Sequence, residues 1–196
     1  MKKILLTLSA FVLISISTLI IILSTIGIET NKFNSFISQK INKLDNNLNV
    51  QLFTVKFKLD AKKLSLYLET KDPDINYRNI SIPINIIKAY IDFLSLLKTE
   101  PKIEKIKLTF KQIDIKQLKN LSAGFKPSNL TSFINNKVQK GKIDLDIEAF
   151  LEKKNILDNF IARGTVSGLK TEVFKDINLE KTKFTFIADK TDILIK

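Results

Sequence analysis

From Ile4 to Ile28 the sequence runs without one charged residue (ILLTLSAFVLISISTLIIILSTIGI), a stretch that a small soluble domain has little use for. As a helix it is roughly 37 Å long at about 1.5 Å per residue, longer than the ~30 Å hydrocarbon core of a bilayer. Tilt, or a short extension past the interface, absorbs the difference. A cleaved signal peptide has a shorter apolar region, about 7–15 residues, ending in a small-x-small site. Thr25-Ile26-Gly27 is a poor match to such a site, so residues 1–29 read as a retained transmembrane anchor. Lys2 and Lys3 favour a cytoplasmic N-terminus and export of residues 30–196. The serines and threonines inside the run bond back to helix carbonyls and need no other role.

The second pattern follows almost at once. Asn31 is a capping residue, and Phe33, Phe36, Ile37, Ile41 and Leu44 recur at helical spacing. The spacing predicts an amphipathic helix over Asn31–Leu44, held near the membrane surface by the short link to the anchor.

After Asn46-Asn47 the period changes to two. Phe53, Val55, Phe57 and Leu59 alternate with polar residues, as do Leu64, Leu66 and Leu68, with a turn near Asp60-Ala61-Lys62. Ile80, Ile82, Ile84 and Ile86 alternate again, and Pro83 among them marks an edge or a bend. Ile87, Tyr90, Ile91, Leu94 and Leu97 have helical spacing and predict a short helix over about 86–97. Ile106, Leu108 and Phe110 form a further strand, and Ile113 and Ile115 lead into Leu118 and Leu121. Lys126-Pro127-Ser128-Asn129 opens a short helix. The rest reads as strands: Ile143, Leu145, Ile147, then Phe160, Ala162, Gly164 and Val166, then Phe184 and Phe186, then Ile193 and Ile195. A chain stopping in an alternating strand predicts more sheet, from further sequence or from a partner. The fold class is thus α+β and β-rich: an anchor, an amphipathic helix, and one continuous curved antiparallel sheet with short helices.

Composition narrows the chemistry. With no Cys or His, the chain holds no Cys- or His-ligated metal site, no Cys–His nucleophile, no disulfide and no lipidated Cys. Formal net charge is +12, yet Arg78 and Arg163 are the only arginines, and a nucleic-acid binder draws on Arg for bidentate contacts. Nucleic acid is therefore not the expected partner. Asp144, Asp146 and Glu148 alternate with Ile143, Leu145 and Ile147, which makes them a solvated strand face and not a metal cluster. No P-loop, dinucleotide fingerprint or G-x-S-x-G elbow occurs. No enzyme and no cofactor is expected.

A sheet with one apolar face must cover it. It closes into a sandwich or barrel, takes the helices as a lid, or curls into a trough for an apolar ligand. Periodicity alone does not choose among these.

The order of features resembles the N-terminal region of AsmA-like envelope proteins, the group that includes TamB. The resemblance rests on the Lys2-Lys3 anchor, the helix Asn31–Leu44, and strands Val50–Leu59 and Lys63–Thr70. It also rests on the stretch IEKIKLTFKQIDIKQLKNL (Ile103–Leu121) and on the later pair FIARGTV and Lys183–Ala188. It implies a bacterial inner-membrane protein, single-pass, with its N-terminus cytoplasmic and its bulk in the periplasm, of which this is the first part of a longer chain. It also implies a taco-like β-groove that carries phospholipid toward the outer membrane or supports assembly of that membrane. Groove candidates are then Phe53, Val55, Phe57, Leu64, Leu66, Leu68, Ile106, Leu108, Phe110, Ile143, Leu145, Ile147, Phe160, Phe184 and Phe186. Phe33, Phe36, Ile37, Ile41 and Leu44 form the membrane-interface helix, and acyl chains are the implied partner. Envelope proteins, or the rest of a longer sheet, are the further partners implied. The alternative reading is a tethered periplasmic scaffold or adaptor with a closed core.

Overall fold

The computed structural model describes residues 2–30, 34, 38–39, 47–63, 65–92, 95, 102–124, 127–152, 157–174 and 177–196. Phe33, Phe36, Ile37, Ile41, Leu44 and Leu64 lie outside the described residues. Of the expected amphipathic helix, only Asn34, Ser38 and Gln39 are described, and these are helical.

Helix α1 spans Lys2–Thr25, and none of its residues is buried. It is long and apolar enough to cross a membrane. Thr7, Ser15, Thr18 and Thr25 donate to carbonyls three or four residues back, which hides their hydroxyls in the helix. Gly27 ends it, with φ +78° and its N–H donating to the Ile22 carbonyl at 2.8 Å, the left-handed stop that glycine adopts without a Cβ penalty. The apolar run does not end with the helix. Ile28–Glu29 forms strand β1, so the last apolar residue is already part of the sheet.

The strands that follow are β2 (Leu48–Gln51), β3 (Val55–Asp60), β4 (Ser65–Lys71), β5 (Asp74–Tyr77), β6 (Ile80–Ser81), β7 (Ile84–Ile91) and β8 (Ile103–Phe110). Then come β9 (Ile113–Asp114), helices α2 (Ile115–Ala123) and α3 (Asn129–Lys137), β10 (Val138–Leu151), β11 (Leu157–Phe174), β12 (Ile177–Ala188) and β13 (Ile193–Ile195). The large sheet is antiparallel in the order β1-β3-β4-β7-β8-β10-β11-β12-β13, with β9 also on β10, and it does not close. A second sheet of three strands has the order β2-β5-β6.

Two expectations are corrected here. The chain does not form one continuous sheet: the stretch Val50–Leu59 divides at 52–54, and Val50 belongs to the small sheet while Val55 begins a strand of the large one. Pro83 breaks the isoleucine run as expected, leaving Ile80 in the small sheet and Ile84 in the large one. Most directly, residues 84–91 form a strand and not the start of a helix. Ile86, Ile87, Tyr90 and Ile91 mimic helical spacing because both sides of β7 are largely apolar. Strands β4 and β8 pair with its two edges, and such flanking ladders override a weak local preference.

Both short helices carry reciprocal caps. The Asp114 carboxylate accepts from the Gln117 N–H at 2.8 Å while the Gln117 side chain accepts from the Asp114 N–H at 3.1 Å. Ser128 and Thr131 repeat the arrangement at the start of α3. The β11 strand bulges between Val166 and Leu169, where Gly168 takes φ +60°.

Candidate apolar trough

Directly paired residues of an antiparallel sheet point to the same side, so the register sorts the side chains into two faces. One row runs Phe57, Leu68, Ala89, Ile106, Ala149 and Phe160 across six strands. The neighbouring row on that face runs Thr70, Ile87, Leu108, Ile147, Ala162 and Ala188. Leu145, Gly164, Phe186 and Ile195 make a third, and Ile113, Ile143, Val166 and Phe184 a fourth. The described sequence candidates therefore share one face, with one exception. Phe53 lies in the link between β2 and β3, is 64% exposed, and takes no part in the ladder.

These side chains are not equally covered. The small sheet packs over one end: Val50 (3% exposed), Ile75 (6%) and Ile84 (5%) form a buried cluster with Ile87, Leu108 and Phe110 of the large sheet against it. Val55 and Leu66 are also buried. Leu145, Ile147, Phe160, Phe184 and Phe186, further along the same face, are only half-buried. The Phe186 ring lies over Gly164, where a Cβ would stand 2.6 Å from it. That close approach leaves bare backbone under the ring at this point of β11, a place only glycine fits. Ile193 and Ile195 on β13 are exposed.

The reverse face carries most of the charged residues, with Phe150, Ile161, Ile187 and Leu194 also on it. Lys107 faces Asp146 at 3.7 Å and Arg163 faces Glu148 at 3.6 Å, so the carboxylates between Ile143 and Ala149 are partners of neighbouring strands. Asp144 accepts from the Gln112 amide at 3.2 Å. Glu69, 5% exposed, sits between Lys58 at 2.7 Å and Lys88 at 3.4 Å, tying β3, β4 and β7. Burial pushes its carboxyl up, but the hydrogen bond and charge of Lys58 and the charge of Lys88 outweigh this and hold it below the usual range. Burial, together with the Glu69 and Asp60 carboxylates, holds the Tyr67 hydroxyl above its ordinary value.

A carboxyl whose folded pKa is depressed contributes stability above its unfolded value and loses it as pH falls through the folded one. Replacing Glu69 with Ala leaves two lysines sharing a half-covered site, at a cost of about 1–3 kcal/mol at neutral pH. The gap in thermal stability between the two proteins in detergent closes as the pH drops below about 4. A gap that stays constant down to pH 3 would contradict the ion-pair account.

Sequence periodicity identified the apolar face but missed the Lys58–Glu69–Lys88 bridge and the small-sheet cap. Both depend on pairings between residues distant in sequence. Neither a family model, nor a curated protein sequence, nor a solved structure matches the chain.

Proposed function

We propose that the chain is a membrane-anchored lipid conduit whose open β-trough shelters acyl chains from water. The observation that supports this reading is the half-buried apolar face of β10, β11 and β12, backed by a reverse face that carries most of the charges of these strands. A contiguous apolar face left partly open to water marks a binding site more often than idle exposure. Each CH₂ of a tail laid along it gains about 0.8 kcal/mol by leaving water, with no reactive group required. Anchor, trough and feature order agree with the AsmA-like resemblance. On that reading the anchor lies in a bacterial inner membrane, the N-terminus is cytoplasmic, and the trough stands in the periplasm, feeding lipid toward the outer membrane. The buried cluster at Val50, Ile75 and Ile84 favours a second reading, a tethered scaffold, for that end of the sheet alone.

The test is the lipid content of the full chain, extracted in mild detergent and measured by native mass spectrometry. Retained diacyl phospholipid in defined stoichiometry is expected. Protein that sheds all lipid under conditions that keep it folded would remove the conduit reading.

A further inference from the structure

Strand β13 is the last in the order of the large sheet, and among the described residues no strand pairs with its far side. Ile193, Leu194 and Ile195 are 67%, 54% and 61% exposed. A free edge is normally blunted by lysines, a proline or a bulge that turns other strands away. This one carries large apolar side chains on both faces. Ile193 and Ile195 continue the apolar face past Ala188 and Phe186, and Leu194 stands beside Ile187 on the reverse.

The backbone fixes what the edge offers. Thr185 and Lys196 exchange both N–H···O bonds at 2.8 Å, and the Asp189 N–H donates to the Asp192 carbonyl at 3.0 Å. Residues 192, 194 and 196 therefore turn their backbone groups toward β12, and Ile193 and Ile195 turn theirs away. A strand that docks here must present a matching outward pair.

β13 itself meets that demand. Turned about a two-fold axis at Leu194, Ile193 lies opposite Ile195 of the other copy, outward groups against outward groups. Leu194 then meets its own counterpart, and Asp192 faces Lys196. Both of these charged side chains are exposed. The segment Asp-Ile-Leu-Ile-Lys is thus self-complementary in charge when antiparallel, and opposite charges directly across a ladder attract. Sliding the register by one residue sets outward backbone groups against inward ones. Sliding it by two lays Asp192 or Lys196 on Leu194.

We propose that β13 is a dimerisation edge: two copies of this chain join through an antiparallel β13–β13 pair centred on Leu194, flanked by an Asp192–Lys196 ion pair on each side. The large sheet then runs through both copies, and its apolar face continues across the join. On the anchored reading α1 confines the copies to one bilayer and raises their effective concentration, so that a short edge suffices. The join is independent of whether the apolar face holds lipid.

The chain has no cysteine, so single introduced cysteines report without background. Across the axis the Leu194 Cα atoms of a non-hydrogen-bonded pair stand about 4.5 Å apart, within the ~4.4–6.8 Å that a disulfide spans. In the full chain, in membranes and in mild detergent, Leu194→Cys is expected to give disulfide dimers under mild oxidation severalfold faster than Lys190→Cys, on the exposed turn away from the axis. Adding Asp192→Lys sets like charges across the join at both ends and is expected to slow crosslinking about tenfold. Lys196→Asp alone is expected to do the same, and the two exchanges together are expected to restore the parent rate. Equal rates at 194 and 190 overturn the proposal, as does a protein that stays monomeric at 194. A rate at 194 that ignores the single exchanges, as when α1 alone brings the copies together, also overturns it. Failure of the double exchange to rescue overturns the register and the proposal with it.

Discussion

Replacing Ala149 with Trp should empty the trough of lipid and leave the domain folded. Ala149 is half-buried on the apolar face, paired with Ile106 on one side and Phe160 on the other. With Ala89 in the same row it is among the small residues of this face, so it leaves room where its neighbours fill it. An indole carries about 150–250 Å² of surface, enough to occupy the cross-section of an acyl chain. Inside a closed core the same substitution would overpack, costing about 1–3 kcal/mol with a matching fall in melting temperature. In an open trough the ring stands in space that lipid would use, and the cost falls on lipid content. Melting temperature within a few degrees of the parent, with co-purifying phospholipid lost, is the expected pair of results. A large fall in melting temperature with lipid unchanged would reverse the assignment and favour the closed scaffold.

The largest expected loss of stability lies at the other end of the same face. Ile84→Ala should cost about 2–4 kcal/mol, the range for truncating a buried aliphatic side chain whose surroundings cannot collapse. Ile84 pairs with Phe110 at a register shift and meets Val50 and Ile75 of the small sheet, so its loss leaves a void between two sheets. Leu145→Ala, on the half-buried stretch, removes as many carbons and should cost about half as much or less, because water already reaches the site. Denaturant titration of the full chain in detergent compares the two. Equal costs would mean that the apolar face is packed uniformly, as in a closed core.

Much of the apolar face was legible in the sequence because a period of two assigns a residue to a face before any partner is known. Ile143, Leu145 and Ile147 on one strand, and Phe184 and Phe186 on another, needed no knowledge of which strands meet. Helix starts were legible for the same local reason: Ser128 and Asp114 cap within three residues of themselves. Partition between sheets was not. The alternation that contains Val50 and Val55 runs through the point where the chain leaves one sheet for the other. Strand β7 misled because apolar residues on both its sides imitate a helical stripe, and the ladders from β4 and β8 that decide the matter come from elsewhere in the chain. The Lys58–Glu69–Lys88 bridge was invisible for a related reason. Its members stand on three separate strands, and only the strand pairing brings them together.

On the conduit reading, the apolar face of β10, β11 and β12 touches lipid and the reverse face does not. Photo-crosslinking amino acids placed in the full chain at Leu145 and Phe186, and at their strand neighbours Asp144 and Thr185, test this most directly in native membranes. Phospholipid adducts from 145 and 186, with few from 144 and 185, are the predicted result. Equal labelling of the two pairs, or no lipid adduct from either inward position in folded protein, would contradict it.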